Sequence, residues 1–203
     1  MESSREAFIG IDTAKLRNAV AIADAVRLAE ERLDRIERAI EEFLPGWSLA
    51  TVVNALQALR GIDLIVAVTF VVEIGDIRRF TSPWQLMGYL GLVPSERSTG
   101  ETVRRGPITK AGNRRARRTL VECAWSYRHP PRVGRKKQDK VAAAAQPVRQ
   151  IAWKAQTRLY ARYRALLRRG KLKTVIVTAI ARELAGFIWA ISREVVPAPV
   201  MAR

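Results

Sequence analysis

GLVPSERSTGETVRRGPITKAGNRRARR, residues Gly91 to Arg118, is the stretch around which the rest of the chain is organised. Glycine and proline punctuate it, which predicts an ordered loop over residues 91–113 rather than a helix. Its only acid between positions 97 and 118 is Glu101. Its basic residues are Arg97, Arg104, Arg105, Lys110, Arg114, Arg115, Arg117 and Arg118. Such a surface suits a polyanion, and the phosphates of a nucleic acid are the commonest one.

A pair of hydroxyls, Ser98 and Thr99, lies directly before Gly100 within this basic loop. On charge alone, a solvated surface and a binding surface are about equally expected. The hydroxyls favour function, because attack on a phosphodiester needs close backbone approach, which glycine permits, and cations that stabilise the phosphoryl oxygens. Ser98 and Thr99 are therefore candidate nucleophiles.

Helical periodicity dominates the rest of the chain. Helices are predicted over residues 24–44, 47–59, 64–74, 83–90, 114–127, 150–169 and 175–191. Ser82 with Pro83, and Asn113, are typical helix starts. Residues 132–147 are predicted to be a mobile basic linker. The fold class that follows is mainly α, with a short β-hairpin at residues 7–23.

An apolar seam of three heptads runs along the predicted helix at residues 24–44. It consists of Val26, Ala29, Leu33, Ile36, Ile40 and Phe43, at alternating steps of three and four residues. Such a seam is coiled-coil-like. It predicts either self-association into a homo-oligomer or packing against the chain's own next helix, and the periodicity leaves these two alternatives open.

An ordered series of motifs makes the chain recognisable. The run LRGIDLIVAVTFVVEIGDIRRFTSPWQLMGYLGLVP at 59–94 is followed by STG at 98–100 and RRGPITKAGNRRARRTLVECAW at 104–125, then by YRHPPR. From Leu59 to about Ala190 the chain resembles the C-terminal domain of the IS110 family of insertion-sequence transposases. The resemblance implies a DNA recombinase that is guided by an RNA, with a serine nucleophile in this domain and four metal-binding acids in an N-terminal RuvC-like domain. It also implies that the helix–turn–helix around Gly61 is a helix-hairpin-helix.

The opening FIGIDTAK resembles the start of that RuvC-like domain, and Asp12 corresponds to its first metal-binding acid. The other three acids have no counterpart in this sequence, which resembles an internally deleted member of the family. Two-metal phosphoryl-transfer sites hold their ions between several carboxylates. We therefore expect that the Mg²⁺ implied by the family is not bound here, and that Asp12 is a non-functional remnant of the metal site.

In the family, the serine stands directly before the glycine, so Thr99 occupies the nucleophile's position and Ser98 precedes it. Ser98 is the preferred nucleophile because it is an unhindered primary alcohol. The domains predicted are a RuvC-like remnant at 1–23, a coiled-coil-like segment at 24–58 and a helical transposase domain at 59–203. The function predicted is DNA transposition by strand cleavage and rejoining. The alternative is a catalytically inactive remnant that only binds nucleic acid.

Charge and composition bound the remaining possibilities. The net charge is +17, and residues 1–96 hold 10 Lys and Arg against 14 Asp and Glu, whereas residues 97–203 hold 26 against 5. This asymmetry is typical of a scaffold that carries a nucleic-acid-binding half. The apolar run Leu64–Val72 is too short to span a bilayer and no export signal is visible, so we expect a cytoplasmic protein. A lone Cys123 and a lone His129 predict no zinc-type site, a buried thiol and a structural or phosphate-adjacent imidazole.

Overall fold

The computed structural model describes residues 24–96 and 105–196, and these form a mainly helical protein. Two compact units share the chain, one ending at Trp47 and the other beginning at Ser48. The predicted β-hairpin at residues 7–23 lies outside the described residues. The domain boundaries proposed from the sequence stay a prediction.

The first unit contains the predicted coiled-coil-like helix, α1, at residues 24–43, followed by a 3₁₀ turn at Leu44–Gly46. Four apolar residues of its seam are exposed: Val26, Leu33, Ile36 and Phe43. Phe43 is the most exposed of them, at 69% of its surface. Within the described residues, then, the apolar seam of α1 is largely uncovered.

The second unit holds seven helices and one strand pair among its described residues. The helices are α2 (Ala50–Leu56), α3 (Leu64–Ile74), α4 (Pro83–Tyr89), α5 (Arg114–Ala124), α6 (Gln138–Ala143), α7 (Gln146–Arg168) and α8 (Lys173–Val195). Strands β1 (Pro94–Glu96) and β2 (Arg105–Ile108) pair antiparallel, with an irregular register between Pro94 and Glu96. Short 3₁₀ turns lie at Ile77–Arg79, Trp125–Arg128 and Arg135–Lys137.

Helix α8 is the centre of this unit. It packs against α2, α4, α5 and α7. Its buried residues are Ile176, Val177, Ile180, Ala181, Leu184, Ala185, Ile188, Ile191 and Ser192. It is also long and apolar enough, by length and composition, to cross a membrane. In this fold the apolar residues of α8 form part of the core, because other helices pack around it.

Side-chain caps begin three of the helices, two of them as the sequence predicts. The Ser82 hydroxyl accepts from the Gln85 amide at 3.4 Å, with Pro83 in the first turn of α4. The Asn113 carbonyl oxygen accepts from the Ala116 amide at 2.8 Å and begins α5. The Asp63 carboxylate accepts from the Val66 amide at 2.9 Å and begins α3. The apolar run that follows Asp63 is thus a helix and not a strand.

The predicted mobile linker at residues 132–147 is wrong. A 3₁₀ turn and α6 occupy it, and the Lys137 side chain is inserted between carbonyls of another element. Basic composition suggested exposure, whereas this ammonium finds acceptors 75 to 80 residues away in the chain. The loop predicted at 91–113 also differs, because its two arms pair as β1 and β2.

Candidate functional site

Strands β1 and β2 flank residues 97–104, which carry the two candidate hydroxyls. Glu96 and Arg105, the described residues on either side, are register partners in the antiparallel pair. The segment therefore leaves and re-enters the fold at one place. Ser98, Thr99, Arg97 and Arg104 themselves lie outside the described residues, as does Asp12. Of Arg105 only the backbone, in β2, is described.

Directly beneath this strand pair, residues 89–93 of the GYLGLVP motif meet residues 109–113 of the ITKAGN motif. We call this contact the motif junction. The Lys110 amide donates to the Gly91 carbonyl at 3.0 Å, and the Asn113 amide donates to the Tyr89 carbonyl at 3.0 Å. The two backbones therefore run against each other without an intervening side chain.

Glycine is required on both sides of the motif junction. Gly91 has φ +62°, and a Cβ on it would lie 1.9 Å from the Ala111 carbonyl oxygen. Gly112 has φ +89°, and a Cβ on it would lie 2.0 Å from the Tyr89 carbonyl oxygen. Lys110, whose amide donates to the Gly91 carbonyl, also has a positive φ of 55°. Any side chain at either glycine would push the motifs apart and move the base of the strand pair.

Glu73, at the end of α3, ties α5 to the motif junction. The Asn113 side-chain amide donates to the Glu73 Oε2 at 2.9 Å and to the Glu73 carbonyl at 3.3 Å. Glu73 Oε1 lies 3.5 Å from the Arg115 Nε. The Tyr89 hydroxyl donates to the same backbone carbonyl at 3.4 Å. The residue that caps α5 is thus oriented by an acid 40 positions earlier, which sequence spacing could not have revealed.

The cations predicted to bind nucleic acid divide into two groups. Lys110, Arg114, Arg115 and Arg118 are exposed. Arg117 is half-buried, and its guanidinium donates to the Leu90 carbonyl at 2.9 Å. Among the described residues, Arg115 has the Glu73 ion pair, while Lys110, Arg114 and Arg118 have no carboxylate within 4.0 Å. Three cations near the N-terminal end of α5 therefore have no carboxylate partner among the described residues.

The start of α5 is electrostatically suited to an anion. Its first turn contains arginines and no acid. A helix N-terminus carries a partial positive charge, so arginines there are unfavourable for the helix alone. An anion bound at this end of the helix would stabilise both the arginine charges and the partial positive charge of the helix N-terminus.

The turn between α2 and α3 packs against another part of the protein. Gly61 has φ +78°, and a Cβ on it would lie 2.6 Å from the Ser126 Oγ and 2.8 Å from the Cys123 carbonyl. At the N-terminus of α3 the Asp63 carboxylate accepts from the Val66 amide, and its negative charge there disfavours a phosphate. The close approach that glycine permits here is to the 3₁₀ turn at Trp125–Arg128, which gives the turn a packing role.

Lys137 fixes this turn from the other side. Its ammonium donates to the carbonyls of Gln57 at 2.7 Å, Leu59 at 3.0 Å and Ile62. These are carbonyls that the end of α2 and the following turn leave without helical partners. Burial, partly opposed by the nearby Asp63 carboxylate, lowers the pKa of Lys137 to about 8. Sequence reasoning missed Lys137 because a lysine in a basic, alanine-rich run is usually exposed.

The two residues considered for cysteine or histidine chemistry have ordinary surroundings. Cys123 is buried, as predicted, and burial raises the pKa of its thiol to about 12, so it is inert as a nucleophile. His129 is exposed and its Nε2 accepts from the Arg128 Nε at 3.0 Å. Its imidazole therefore lies next to a cation. Over residues 24–96 and 105–196, no three His, Cys, Asp or Glu side chains come together as a metal site.

The aromatic residues of α7 differ in exposure. Tyr163 is buried, whereas Trp153 is 49% exposed. Arg158 and Arg162 both form ion pairs with Glu183 on α8, the first at 2.9 Å. These two arginines therefore hold α7 against α8.

Comparison with known proteins follows the same motifs. Residues 53–138 match the sequence profile of the Transposase IS116/IS110/IS902 family. This range begins within α2, contains α3 to α5, the motif junction and the strand pair, and ends at the first residue of α6.

Individual relatives extend the similarity. The chain is 65% identical over 161 residues to the y4qE protein of Sinorhizobium fredii, which carries a transposase name; the match covers 79% of this chain and 41% of that protein. It is 34% identical over 103 residues to a Pseudomonas aeruginosa protein named as a family 20 transposase, covering 51% and 30%. It is 32% identical over 97 residues to the transposase for insertion sequence element IS1328 of Yersinia enterocolitica, covering 48% and 28%. The chain thus spans less than half the length of these relatives.

Proposed function

The chain carries the transposase domain of the IS116/IS110/IS902 family, and on that premise we propose that it binds DNA and supplies the hydroxyl nucleophile for strand cleavage and rejoining in transposition. The observation that supports this most is the motif junction. It supports the strand pair that brings the two ends of residues 97–104 together, and it lies next in the chain to the α5 cations that have no carboxylate partner among the described residues.

The DNA contact is proposed at the exposed cations Lys110, Arg114, Arg115 and Arg118, together with Arg105 of β2 and with Arg97 and Arg104, which lie outside the described residues. Phosphates bound there would lie against the base of the hydroxyl segment. Arg117 is left out of this surface, because its guanidinium is used by the Leu90 carbonyl. The neighbouring cations would stabilise the charge that develops on the phosphoryl oxygens during attack.

The nucleophile is proposed to be Ser98, with Thr99 as the alternative. In transesterification the side-chain oxygen forms a bond to phosphorus, and the bond from that phosphorus to one DNA oxygen breaks. That oxygen leaves as a DNA hydroxyl and takes up a proton equivalent to the one that the side chain loses, so the protein is left covalently joined to the other DNA end. A rigid base beneath the hydroxyls favours this step, because positioning removes part of the entropic cost of attack. No step is assigned to Mg²⁺, since the described residues assemble no set of metal-binding acids.

Further partners are also part of the proposal. A guide RNA follows from the family resemblance, and the basic half of the chain suits it as well as DNA. A homo-oligomer would bury the exposed seam of α1. Transposition of chromosomal DNA places the protein in the cytoplasm, where bacterial DNA is accessible.

Trapping the covalent intermediate tests the catalytic part of the proposal. The chain is incubated with labelled DNA carrying the ends of its element, with and without guide RNA, and separated under denaturing conditions. A labelled protein band should be lost in Ser98→Ala and retained in Thr99→Ala.

Ser95→Ala is the matched hydroxyl control, because the Ser95 Oγ donates to the Pro107 carbonyl at 3.0 Å and lies in β1. It should retain the adduct. An adduct that persists in the Ser98→Ala, Thr99→Ala double variant would overturn the nucleophile assignment. Tight DNA binding with no adduct in any form would instead support the function of binding alone.

A further inference from the structure

A second basic site lies beyond the other end of α5, formed by residues that the proposed DNA contact does not use. It is a pocket of about 190 Å³ whose charged lining is Arg60, Arg132, Lys136 and Lys137. Gly134, the polar Gln156 and three apolar residues complete it, and no Asp or Glu is among the lining residues. We call it the Arg60 pocket.

Arg60 is held in place by the backbone of the YRHPPR motif. One of its terminal nitrogens donates to the His129 carbonyl at 3.0 Å and to the Pro130 carbonyl at 2.7 Å. A guanidinium has five N–H donors in a rigid fork. Within the described residues these two carbonyls are the hydrogen-bond partners of Arg60, so the other edge of the fork is available to a ligand.

Arg132 is anchored beside it through its backbone. The Arg132 amide donates to the Gln156 Oε1 at 3.1 Å, and the exposed side chain is free to turn toward Arg60. Burial, and then the charge of Arg132, hold the pKa of Arg60 below its usual value. Two guanidiniums thus face one cavity, and no carboxylate among the described lining residues offsets their repulsion.

The remaining two cations have different roles. Lys137 lines the pocket, but its ammonium is engaged by three backbone carbonyls. Lys136 is exposed at the rim, and no carboxylate in the described part of the chain lies within 4.0 Å of it. Three cations, Arg60, Arg132 and Lys136, therefore remain for a ligand.

We propose that the Arg60 pocket holds one phosphate group of the nucleic-acid backbone, as a second anchor at the opposite end of α5 from the hydroxyl segment. The inference rests on the proposed function, because it assigns the same nucleic acid. Two arginine forks can engage phosphate oxygens in bidentate fashion, and lysine adds a point charge. Helix α5 has 11 residues and so is about 16 Å long, which separates the two anchors by several nucleotides.

A variant with Arg132→Gln and Lys136→Gln tests the inference. Both side chains are exposed, so the fold should persist, whereas Arg60 supports the backbone of residues 129–130 and is left intact. The matched control is Arg135→Gln combined with Lys140→Gln. These two cations are exposed in the same segment, carry the same charge and do not line the pocket.

Two readouts are taken on the intact chain. The first is the affinity for a short duplex over a series of salt concentrations. The pocket variant should bind about tenfold more weakly at low salt, and its slope of log K against log salt should be shallower than that of the control by about 0.9, the contribution of one phosphate. The second is the thermal midpoint in inorganic phosphate against chloride at equal ionic strength. Phosphate should raise it in the wild type and the control and not in the pocket variant.

The outcomes separate this inference from the proposed function. If the wild type binds the duplex but the pocket variant matches the control in both readouts, the inference is wrong and the proposed function stands. If the pocket variant loses only the effect of inorganic phosphate and keeps its duplex affinity and slope, the site is one for free anions and the nucleic-acid assignment is overturned. If the wild type binds no nucleic acid at all, the proposed function fails first, and that result is visible before any variant is compared.

Discussion

At the scale of single residues, the site depends on two glycines that hold backbones together. Gly91 and Gly112 combine a positive φ with a neighbouring carbonyl within 2.0 Å of the Cβ position. The chain offers a comparison in Gly170, which has φ +68° and nothing within 4 Å of that position. Conformational strain and steric collision can therefore be separated in this one protein.

Gly112→Ala should destabilise the fold by at least about 2 kcal/mol more than Gly170→Ala. Both variants place alanine at a positive φ, which costs about 1 kcal/mol. Only in Gly112→Ala does the new Cβ also collide with a backbone carbonyl. Urea unfolding of the two variants measures the difference. Equal destabilisation would mean that the motif junction relaxes without cost. We expect Gly112→Ala also to reduce adduct formation, because the base of the hydroxyl segment moves.

Lys137 gives a prediction about pH. Burial lowers its pKa to about 8 in the folded protein, whereas an unfolded lysine titrates near 10.4. Between these values the unfolded state binds more protons, so the free energy of unfolding rises with pH. The free energy of unfolding of the wild type minus that of Lys137→Met should therefore increase from pH 8 to about 10.5.

The comparison with Lys137→Met removes the contribution of other lysines and tyrosines that titrate in the same range. A difference that stays flat or falls over this interval would contradict the lowered pKa. At any pH in the range, the variant should be less stable, because three carbonyls at the end of α2 lose their donor.

At the scale of elements, α5 carries two kinds of arginine on one short helix. Arg118 is exposed and Arg117, its neighbour, donates to the Leu90 carbonyl. A helix turns by about 100° per residue, so adjacent side chains point to different surroundings. The same substitution at these two positions therefore has different expected consequences.

Arg118→Gln should weaken DNA binding several-fold and leave the thermal midpoint unchanged. Arg117→Gln should lower the midpoint by several degrees, because a partly buried carbonyl loses its hydrogen bond. Filter binding and thermal unfolding of both variants provide the measurements. If Arg118→Gln unfolded the domain, or if Arg117→Gln affected only binding, the division of roles on α5 would be wrong.

Helix α1 gives a prediction about assembly. Its seam residues Leu33 and Ile36 are exposed at 55% and 47%. If the seam forms a coiled coil, Leu33→Glu with Ile36→Glu should convert an oligomer to a monomer in sedimentation equilibrium, since charge at seam positions opposes association. Arg32→Glu, on an exposed position beside the seam, is the control. A wild type that sediments as a monomer at high concentration would rule out self-association through α1.

At the scale of the whole molecule, the formal net charge overstates the number of cations that are available to bind a ligand. Residues 97–203 hold 26 basic residues, but several are used inside the fold. Arg117 and Lys137 donate to backbone carbonyls, and Arg158 and Arg162 pair with Glu183. The described cations without such partners include Lys110, Arg114 and Arg118 near the N-terminal end of α5 and Lys136 at the Arg60 pocket.

Duplex DNA affinity should fall steeply with salt, with a slope of log K against log salt steeper than about −3, as expected for four or more phosphate contacts. The measurement is a binding series from low to physiological ionic strength. A slope near zero would show that the basic half is a solvated surface. A slope approaching the number of basic residues would show that the internal ion pairs break on binding.

The sequence by itself determined what depends on neighbouring positions. Ser82 and Asn113 cap the helices they were predicted to cap, because a capping bond spans three residues. The helix periodicities also depend only on residues a few positions apart, and the motifs shared with the family can be read directly from the sequence. Helix ends were less accurate, as in α7, which begins at Gln146 and not at Gln150. The strand pair within residues 91–113 was missed, because its register joins residues from two arms of the loop.

Only the tertiary structure decided what depends on residues far apart in the chain. Glu73 meets Asn113 across 40 positions and Lys137 meets Gln57 across 80. Composition placed Lys137 in a mobile linker, which was wrong, and the periodicity of α7 did not show that Trp153 would be exposed. The physical reason is common to these cases. A backbone carbonyl that accepts an ammonium, or a helix face that packing leaves open, has no signature in residue type or spacing, because it is created by the elements that meet there.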